Sequence, residues 1–176
     1  GIYVFPCTTA GEVLFYNKTM FDKYGLEAPK TWTELAECSK IIHEKEGIPG
    51  FGTDSLVDTY QCLIMQAGSG YIDEDGNYAI DETIAKEKLN WFADLVKSGD
   101  CRLVGEDVFF SGPFGSQAVA SYIGSSAGVS YVELAVNDAF EIGCVPIPQE
   151  GPVRYISSWG NNFACLSTDE DHARGA

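Results

Sequence analysis

The sequence predicts a single domain of the α/β or mixed class. Short apolar runs rich in β-branched and aromatic residues alternate along the chain with longer segments of helical periodicity, as they do in α/β proteins. No repeat with a period of about 20 to 50 residues is visible, which argues against a solenoid or a propeller. A chain of 176 residues suits one domain, and a domain of that size removes roughly 70% of its unfolded surface from water. We therefore expect one folded unit over 1–176.

The first elements are two strands and a short helix. Residues 1–7 and 12–17 are rich in the branched and aromatic side chains that suit a pleated surface. Asn17 or Thr19 can cap the helix that follows, and Gly25 supplies the left-handed residue that ends it. The chain is therefore predicted to pass from strand to helix without a long connection.

Three longer helices have recognisable ends. Thr31, followed by Glu34, predicts a capping box and a helix that reaches about residue 46. A second helical pattern stops at Gly68, and a third starts at Asp81 and stops at Gly99. The remaining expectations are a hairpin at 71–80, a loop-rich stretch at 101–116, strands at 118–123, 140–148 and 163–167, a turn at 124–128, a helix at 129–138 and a further helix from Thr168.

The charge balance excludes several classes of partner. The chain has 26 acidic and 11 basic residues, a formal net charge of −15, which repels a phosphate backbone or an anionic membrane surface. No apolar run approaches the roughly 18 residues that span a bilayer, and the N-terminus does not resemble a signal peptide. We expect a soluble domain that binds no nucleic acid, with any export signal absent or removed.

The spacing of the cysteines does not decide whether they are oxidised or reduced, and the cysteines and histidines together predict no metal site. The cysteines are scattered, without CxxC or zinc spacing. They could form disulfides in an exported chain. They could also remain mostly buried free thiols, because a domain of this size does not need disulfides for stability. The two histidines, His43 and His172, have no partner at metal-ligand spacing, so no cofactor is expected. The six cysteines are Cys7, Cys38, Cys62, Cys101, Cys144 and Cys165.

The segment Gly124-Ser125-Ser126-Ala127-Gly128 has three possible interpretations. It matches the G-x-S-x-G pattern of a nucleophile elbow, and Asp138 and His172 follow in the order of a serine hydrolase triad. No oxyanion-loop motif precedes it, and the triad would fall within a short segment near the terminus. Alternatively, its hydroxyl and amide groups could bind an anion or a sugar hydroxyl, or small residues could simply allow a tight turn.

The segment 157–162, SSWGNN, places a flat aromatic ring among hydroxyl and amide groups. Trp159 could belong to the core. It could also form a sugar platform, where the apolar face of a sugar ring stacks on the indole while Asn and Ser side chains bind its hydroxyls.

Residues 14–35, LFYNKTMFDKYGLEAPKTWTEL, are similar to a signature of the extracellular solute-binding proteins of family 1, the sugar-capturing components of ABC importers. The spacing is specific, and further matches to the family's pattern continue in order over nearly the whole chain. They fall at 66–81, 89–100, 116–126, 145–151 and 157–176.

The resemblance implies one lobe of a type II periplasmic-binding-protein fold, with a mixed sheet flanked by helices. Family members have two α/β lobes that close on ligand about hinge strands. Residues 1–176 would be the second lobe, entered through a hinge at YVFP and left after FACLS, with the first lobe and the C-terminal helices missing. The resemblance places ligand-binding residues at the cleft edge: Thr8, Thr9, Ser125, Ser126, Trp159, Gly160 and Asn161.

The same resemblance implies a non-catalytic, monomeric protein that binds a carbohydrate and docks on ABC permease subunits, as a cell-surface lipoprotein or in the periplasm. One departure affects the ligand. Many sugar binders of the family have Trp in the turn where this chain has Ser125 and Ser126. That turn is similar to the glycerol-3-phosphate binders of the family, although none of the expected ligand-binding residues is an arginine and Arg154 is the one arginine between the turn and the SSWGNN segment. A phosphate-bearing polyol is therefore the secondary expectation.

Overall fold

A computed structural model describes residues 5–164 of the chain. The main sheet is mixed, and its strand order is β4-β3-β5-β2-β6. Strand β2 lies antiparallel to β5 and β6, whereas β3 is parallel to both β5 and β4. The short strand β7 pairs with the first residues of β2, and β1 pairs with β8 apart from the main sheet. The strands are β1 Phe5–Pro6, β2 Ala10–Asn17, β3 Phe51–Thr53, β4 Cys101–Leu103, β5 Ser121–Ser125, β6 Ile142–Pro146, β7 Ser158–Trp159 and β8 Asn162–Phe163.

Helices cover both faces of this sheet, because neighbouring residues of a strand point to opposite sides. Leu14 and Ile123 pack with the helices α2, α3 and α4 on one face. Phe15 follows Leu14 and Tyr122 precedes Ile123 in their strands, so both point to the opposite face, where they pack with α5 and α6. The predicted mixed sheet flanked by helices is confirmed. The helices are α1 Lys18–Lys23, α2 Trp32–Glu46, α3 Leu56–Gln66, α4 Glu82–Ser98, α5 Ser111–Gly115 and α6 Val129–Val136.

The predicted helix ends are confirmed. Asn17 Oδ1 accepts the Met20 N–H at 2.9 Å, which caps α1, and Gly25 follows with φ of +66°. Both halves of the capping box between Thr31 and Glu34 are formed at the start of α2. These ends were predictable because each depends on residues within one turn of the chain.

The shortest elements were missed or placed wrongly. Strands β3 and β4 have three residues each, too few to show a period, and β4 falls in the stretch predicted to be loop. Strand β5 begins at Ser121 rather than at residue 118. The hairpin at 71–80 is reduced to an isolated bridge between Ile72 and Tyr78. The predicted strand at 163–167 extends beyond the described residues, and the helix from Thr168 lies wholly outside them.

Thiols within 5–164 are free, and most are buried. Cys38, Cys62 and Cys101 are buried, whereas Cys7 and Cys144 are exposed. Burial raises the pKa of the Cys62 thiol to about 12. The interpretation of the cysteines as mostly buried free thiols therefore fits the part of the chain that is described, which does not include Cys165.

Candidate functional site

Two separated segments meet at the N-terminal end of β2. The Gly11 N–H donates to Ser126 Oγ at 3.3 Å. On the other side of the strand, Ala10 pairs with Trp159 and Gly11 with Ser158. The serine-rich turn and the SSWGNN segment are therefore neighbours across one strand. We call the residues expected to bind ligand the rim cluster: Thr8, Thr9, Ser125, Ser126, Trp159, Gly160 and Asn161.

Trp159 is not part of the hydrophobic core. Its relative exposure is 42%, so a large part of the residue faces solvent. Gly160 follows it at a close approach of two backbone segments, since a Cβ at this position would overlap the carbonyl oxygen of Thr8. The close approach of the two backbone segments therefore explains why residue 160 is a glycine, independently of any contact with a ligand.

The other end of the rim cluster is held by backbone hydrogen bonds. The carbonyl oxygen of Asn161 accepts the N–H groups of Cys7 at 2.9 Å and Thr8 at 3.2 Å. The Asn161 N–H in turn donates to Thr8 Oγ1 at 3.2 Å. Thr8, Thr9 and Asn161 are exposed, so their side chains are open to a ligand.

The two serines have local structural roles that leave their protons free. Ser125 Oγ accepts the Ala127 N–H at 3.1 Å and caps a turn of 3₁₀ helix at 126–128. Ser126 Oγ accepts the Gly11 N–H. A hydroxyl that accepts in this way can still donate its proton. Both serines can therefore act as hydrogen-bond donors towards a solute.

A pocket of about 380 Å³ lies beside the rim cluster and shares Ser125 with it. We call it the aromatic pocket. Three aromatic residues and one carboxylate dominate its wall, and small residues complete it. It is lined by Asp54, Phe109, Ser111, Tyr122, Ser125, Ala127, Gly128 and Tyr131.

Asp54 contributes one free oxygen to the aromatic pocket. Its Oδ1 accepts the Phe110 N–H at 2.6 Å. A Cβ at Gly124 would lie 2.6 Å from Asp54 Oδ2 and 2.7 Å from Cε2 of Tyr122. The absence of a side chain at Gly124 therefore lets the carboxylate and the ring approach each other. Partial burial raises the pKa of Asp54 above its usual value.

Sequence reasoning missed the aromatic pocket except for Ser125. Asp54 follows β3 and reaches Gly124 only because β3 and β5 are adjacent and parallel. Phe109 and Tyr131 are 62% and 69% exposed. Exposed aromatic side chains were the available signal, but they can be recognised only after the fold is known.

The family model for bacterial extracellular solute-binding proteins matches residues 1–172 of the chain. The chain belongs to this solute-binding family. It is 31% identical to an arabinooligosaccharide-binding protein of Halalkalibacterium halodurans over 53% of this chain and 22% of that protein. It is 26% identical to the sn-glycerol-3-phosphate-binding periplasmic protein UgpB of Brucella abortus over 97% of this chain and 42% of that protein.

Solved structures of solute-binding proteins show the same fold. A maltose-bound MalE3 of T. maritima superposes with a TM-score of 0.75 at 26% identity, covering 98% of this chain and 48% of that chain. The GacH receptor of Streptomyces glaucescens superposes with a TM-score of 0.79 at 22% identity, covering 98% and 47%. The chain thus spans less than half the length of these relatives. The expected periplasmic-binding-protein fold class is confirmed.

A solute-binding protein needs no catalytic triad, and the geometry does not favour one here. Ser126 lies before α6 and Asp138 after it, and a helix of 8 residues is about 12 Å long. The serine of a nucleophile elbow sits on a strained turn, whereas Ser126 is not among the positive-φ residues of this chain. His172 lies outside the described residues. Within 5–164, no helix has both the length and the apolar character needed to cross a bilayer.

Proposed function

We propose that this chain is the second lobe of the substrate-binding component of an ABC importer, and that it captures a carbohydrate in an interlobe cleft. The observation that supports this best is the meeting of Ser126 and Trp159 across β2, with the indole partly exposed. An exposed indole can stack on the apolar face of a sugar ring. The adjacent serine and asparagine groups can bind the ring hydroxyls.

Relatives support the same proposal by their length and their names. Two similar proteins are named for binding an arabinooligosaccharide and sn-glycerol 3-phosphate, and a third was solved with maltose bound. This chain spans 42% to 48% of the longer matches, which agrees with one lobe of two. In the proposed mechanism, ligand contacts on both lobes favour the closed form and shift the open–closed equilibrium.

The proposed protein works outside the cytoplasm, as a monomer in the periplasm or as a lipoprotein at the cell surface, and delivers its ligand to permease subunits. Of the two ligand classes suggested by the relatives, we favour a carbohydrate over a phosphate-bearing polyol. None of the residues of the rim cluster or the aromatic pocket is Lys, Arg or His. Phosphate sites usually use such cations.

The test is a titration of the isotopically labelled chain with maltotriose, followed by amide chemical shifts at concentrations up to about 100 mM because half a site binds weakly. We expect shifts at Ser126, Gly160 and Asn161, and their loss in Trp159→Ala. Tyr78→Ala is the matched control, since Tyr78 is an exposed aromatic residue, 83% accessible, on the turn at 72–78. No shift in the wild type, or equal shifts in Trp159→Ala, would contradict the proposal.

A further inference from the structure

The aromatic pocket is lined by aromatic rings and one carboxylate, and no cationic side chain in its lining neutralises that carboxylate. Phe109 and Tyr131 are largely exposed, and Tyr122 forms part of the buried wall behind them. The lining residues include one acid, Asp54, and no Lys, Arg or His. A carboxylate can accept hydrogen bonds from sugar hydroxyls, but beside aromatic ring faces and without a cationic side chain in the lining it also suits a positively charged group.

Asp54 is held with one oxygen directed away from its backbone partner. Oδ1 is occupied by the Phe110 N–H, while Oδ2 approaches Gly124 and the Tyr122 ring. Asp54 lines the pocket, and no hydrogen bond to its Oδ2 is found among the described residues. Because every fully buried side-chain oxygen or nitrogen there has a partner, Oδ2 is not fully buried. Partial burial raises the pKa of this carboxyl, and the same loss of water strengthens its attraction for a cation.

From this geometry, we propose that the aromatic pocket binds an alkylammonium group of a hydroxylated solute. The cation would lie over the rings of Phe109 and Tyr131, where the ring quadrupole attracts positive charge, with Asp54 as its counter-ion. This inference rests on the proposed function only for the position of the cleft, and it adds the charge of the ligand. The net charge of −15 also favours the approach of cations.

The test compares choline with 3,3-dimethylbutan-1-ol, which has the same shape without the charge. Amide shifts of the labelled chain at Ser125, Gly128 and Phe110 report binding. We expect choline to bind at least about tenfold more tightly than the alcohol, the size of a cation–π contact supported by a carboxylate. Asp54→Asn should remove this preference. Glu74→Gln, which removes a charge from an exposed turn, should retain it.

Tyr131→Leu provides a second test that does not threaten the fold, because Tyr131 is 69% exposed. It should weaken choline binding while net charge stays constant. Equal affinity for choline and the alcohol, a preference that persists in Asp54→Asn, or unchanged choline affinity in Tyr131→Leu would overturn the inference. Maltotriose shifts at the rim cluster would then still support carbohydrate capture. Conversely, a choline preference without maltotriose shifts would sustain the inference and reject the carbohydrate.

Discussion

Glu12 is a buried acidic residue, with a relative exposure of 1%. It lies on β2 opposite Ser125, and the Thr59 hydroxyl donates to its Oε2 at 3.4 Å. Burial, together with the nearby carboxylate of Asp58, raises the pKa of Glu12 to about 8. The carboxyl group is therefore protonated in the folded protein at pH values where it is ionised in the unfolded chain. Folding takes up a proton between these two pKa values.

The substitution Glu12→Gln should remove a pH dependence of stability. The folded pKa is raised, so the free energy of unfolding of the wild type falls as pH increases from about 4.5 to about 8. Above pH 8 the variant should be more stable than the wild type by roughly 2 to 4 kcal/mol. Urea unfolding from pH 5 to 9 measures the difference. Parallel pH profiles for the two proteins would show that Glu12 is not the group responsible.

Gly160 offers a second prediction at the scale of one residue. Gly160→Ala should lower the free energy of unfolding by about 1 to 3 kcal/mol, because its methyl group would overlap the carbonyl oxygen of Thr8. Gly112→Ala is the control, since a Cβ there meets nothing within 4 Å. Thermal or urea unfolding compares them. Equal stability of the two variants would mean that the Thr8 segment moves aside at little cost.

At the scale of elements, capping residues determine where helices start. In α2, Thr31 Oγ1 accepts the Glu34 N–H at 3.1 Å, and Glu34 Oε2 accepts the Thr31 N–H at 3.2 Å. The helix then buries Trp32 and Leu35. The cap therefore sets the position of a helix that packs on the central sheet.

Thr31→Ala should lower the free energy of unfolding by about 1 kcal/mol, the usual effect of losing an N-cap side chain. Thr83→Ala is the matched control, because Thr83 is exposed in the first turn of α4 and only its backbone N–H bonds to the Asp81 cap. Denaturant unfolding of both variants gives the comparison. A loss in Thr83→Ala as large as in Thr31→Ala would attribute the effect to helix propensity rather than to the cap.

The sequence predicted what depends on local bonds and left out what depends on strand order. Asn17, Thr31 and Asp81 each cap a helix through atoms two or three residues away, so their roles could be inferred. The hydrogen bond between the Gly11 N–H and Ser126 Oγ spans 115 residues and was not predicted; the family resemblance suggested only that Ser126 lies at the cleft edge. Asp54 could not be placed in the pocket, because that requires knowing that β3 lies beside β5.

At the scale of the whole molecule, the proposal assigns this chain only one wall of the ligand-binding cleft. This chain covers less than half the length of its longer relatives, so a second wall would come from chain that it does not contain. Binding costs the ligand translational and rotational entropy, and only half of the contacts would be available to offset that cost. Affinity should therefore be low even if the chemistry of the wall is right.

Isothermal calorimetry on this chain should give no dissociation constant for maltotriose below about 1 μM, a limit that half a site should not reach. Adding a lobe that supplies the opposite wall, taken from a relative with a two-lobed structure, should increase the affinity. Submicromolar binding by this chain alone would reject the half-site proposal, although it would leave a carbohydrate ligand possible.

The residues of the aromatic pocket differ in how strongly the fold constrains them, and this has an evolutionary consequence. Gly124 cannot accept a side chain without displacing Asp54, whereas the rings of Phe109 and Tyr131 project outwards and support little of the core. If the pocket binds an alkylammonium group as proposed, single substitutions at these two positions can change ligand preference between homologues while the strand beneath them stays the same.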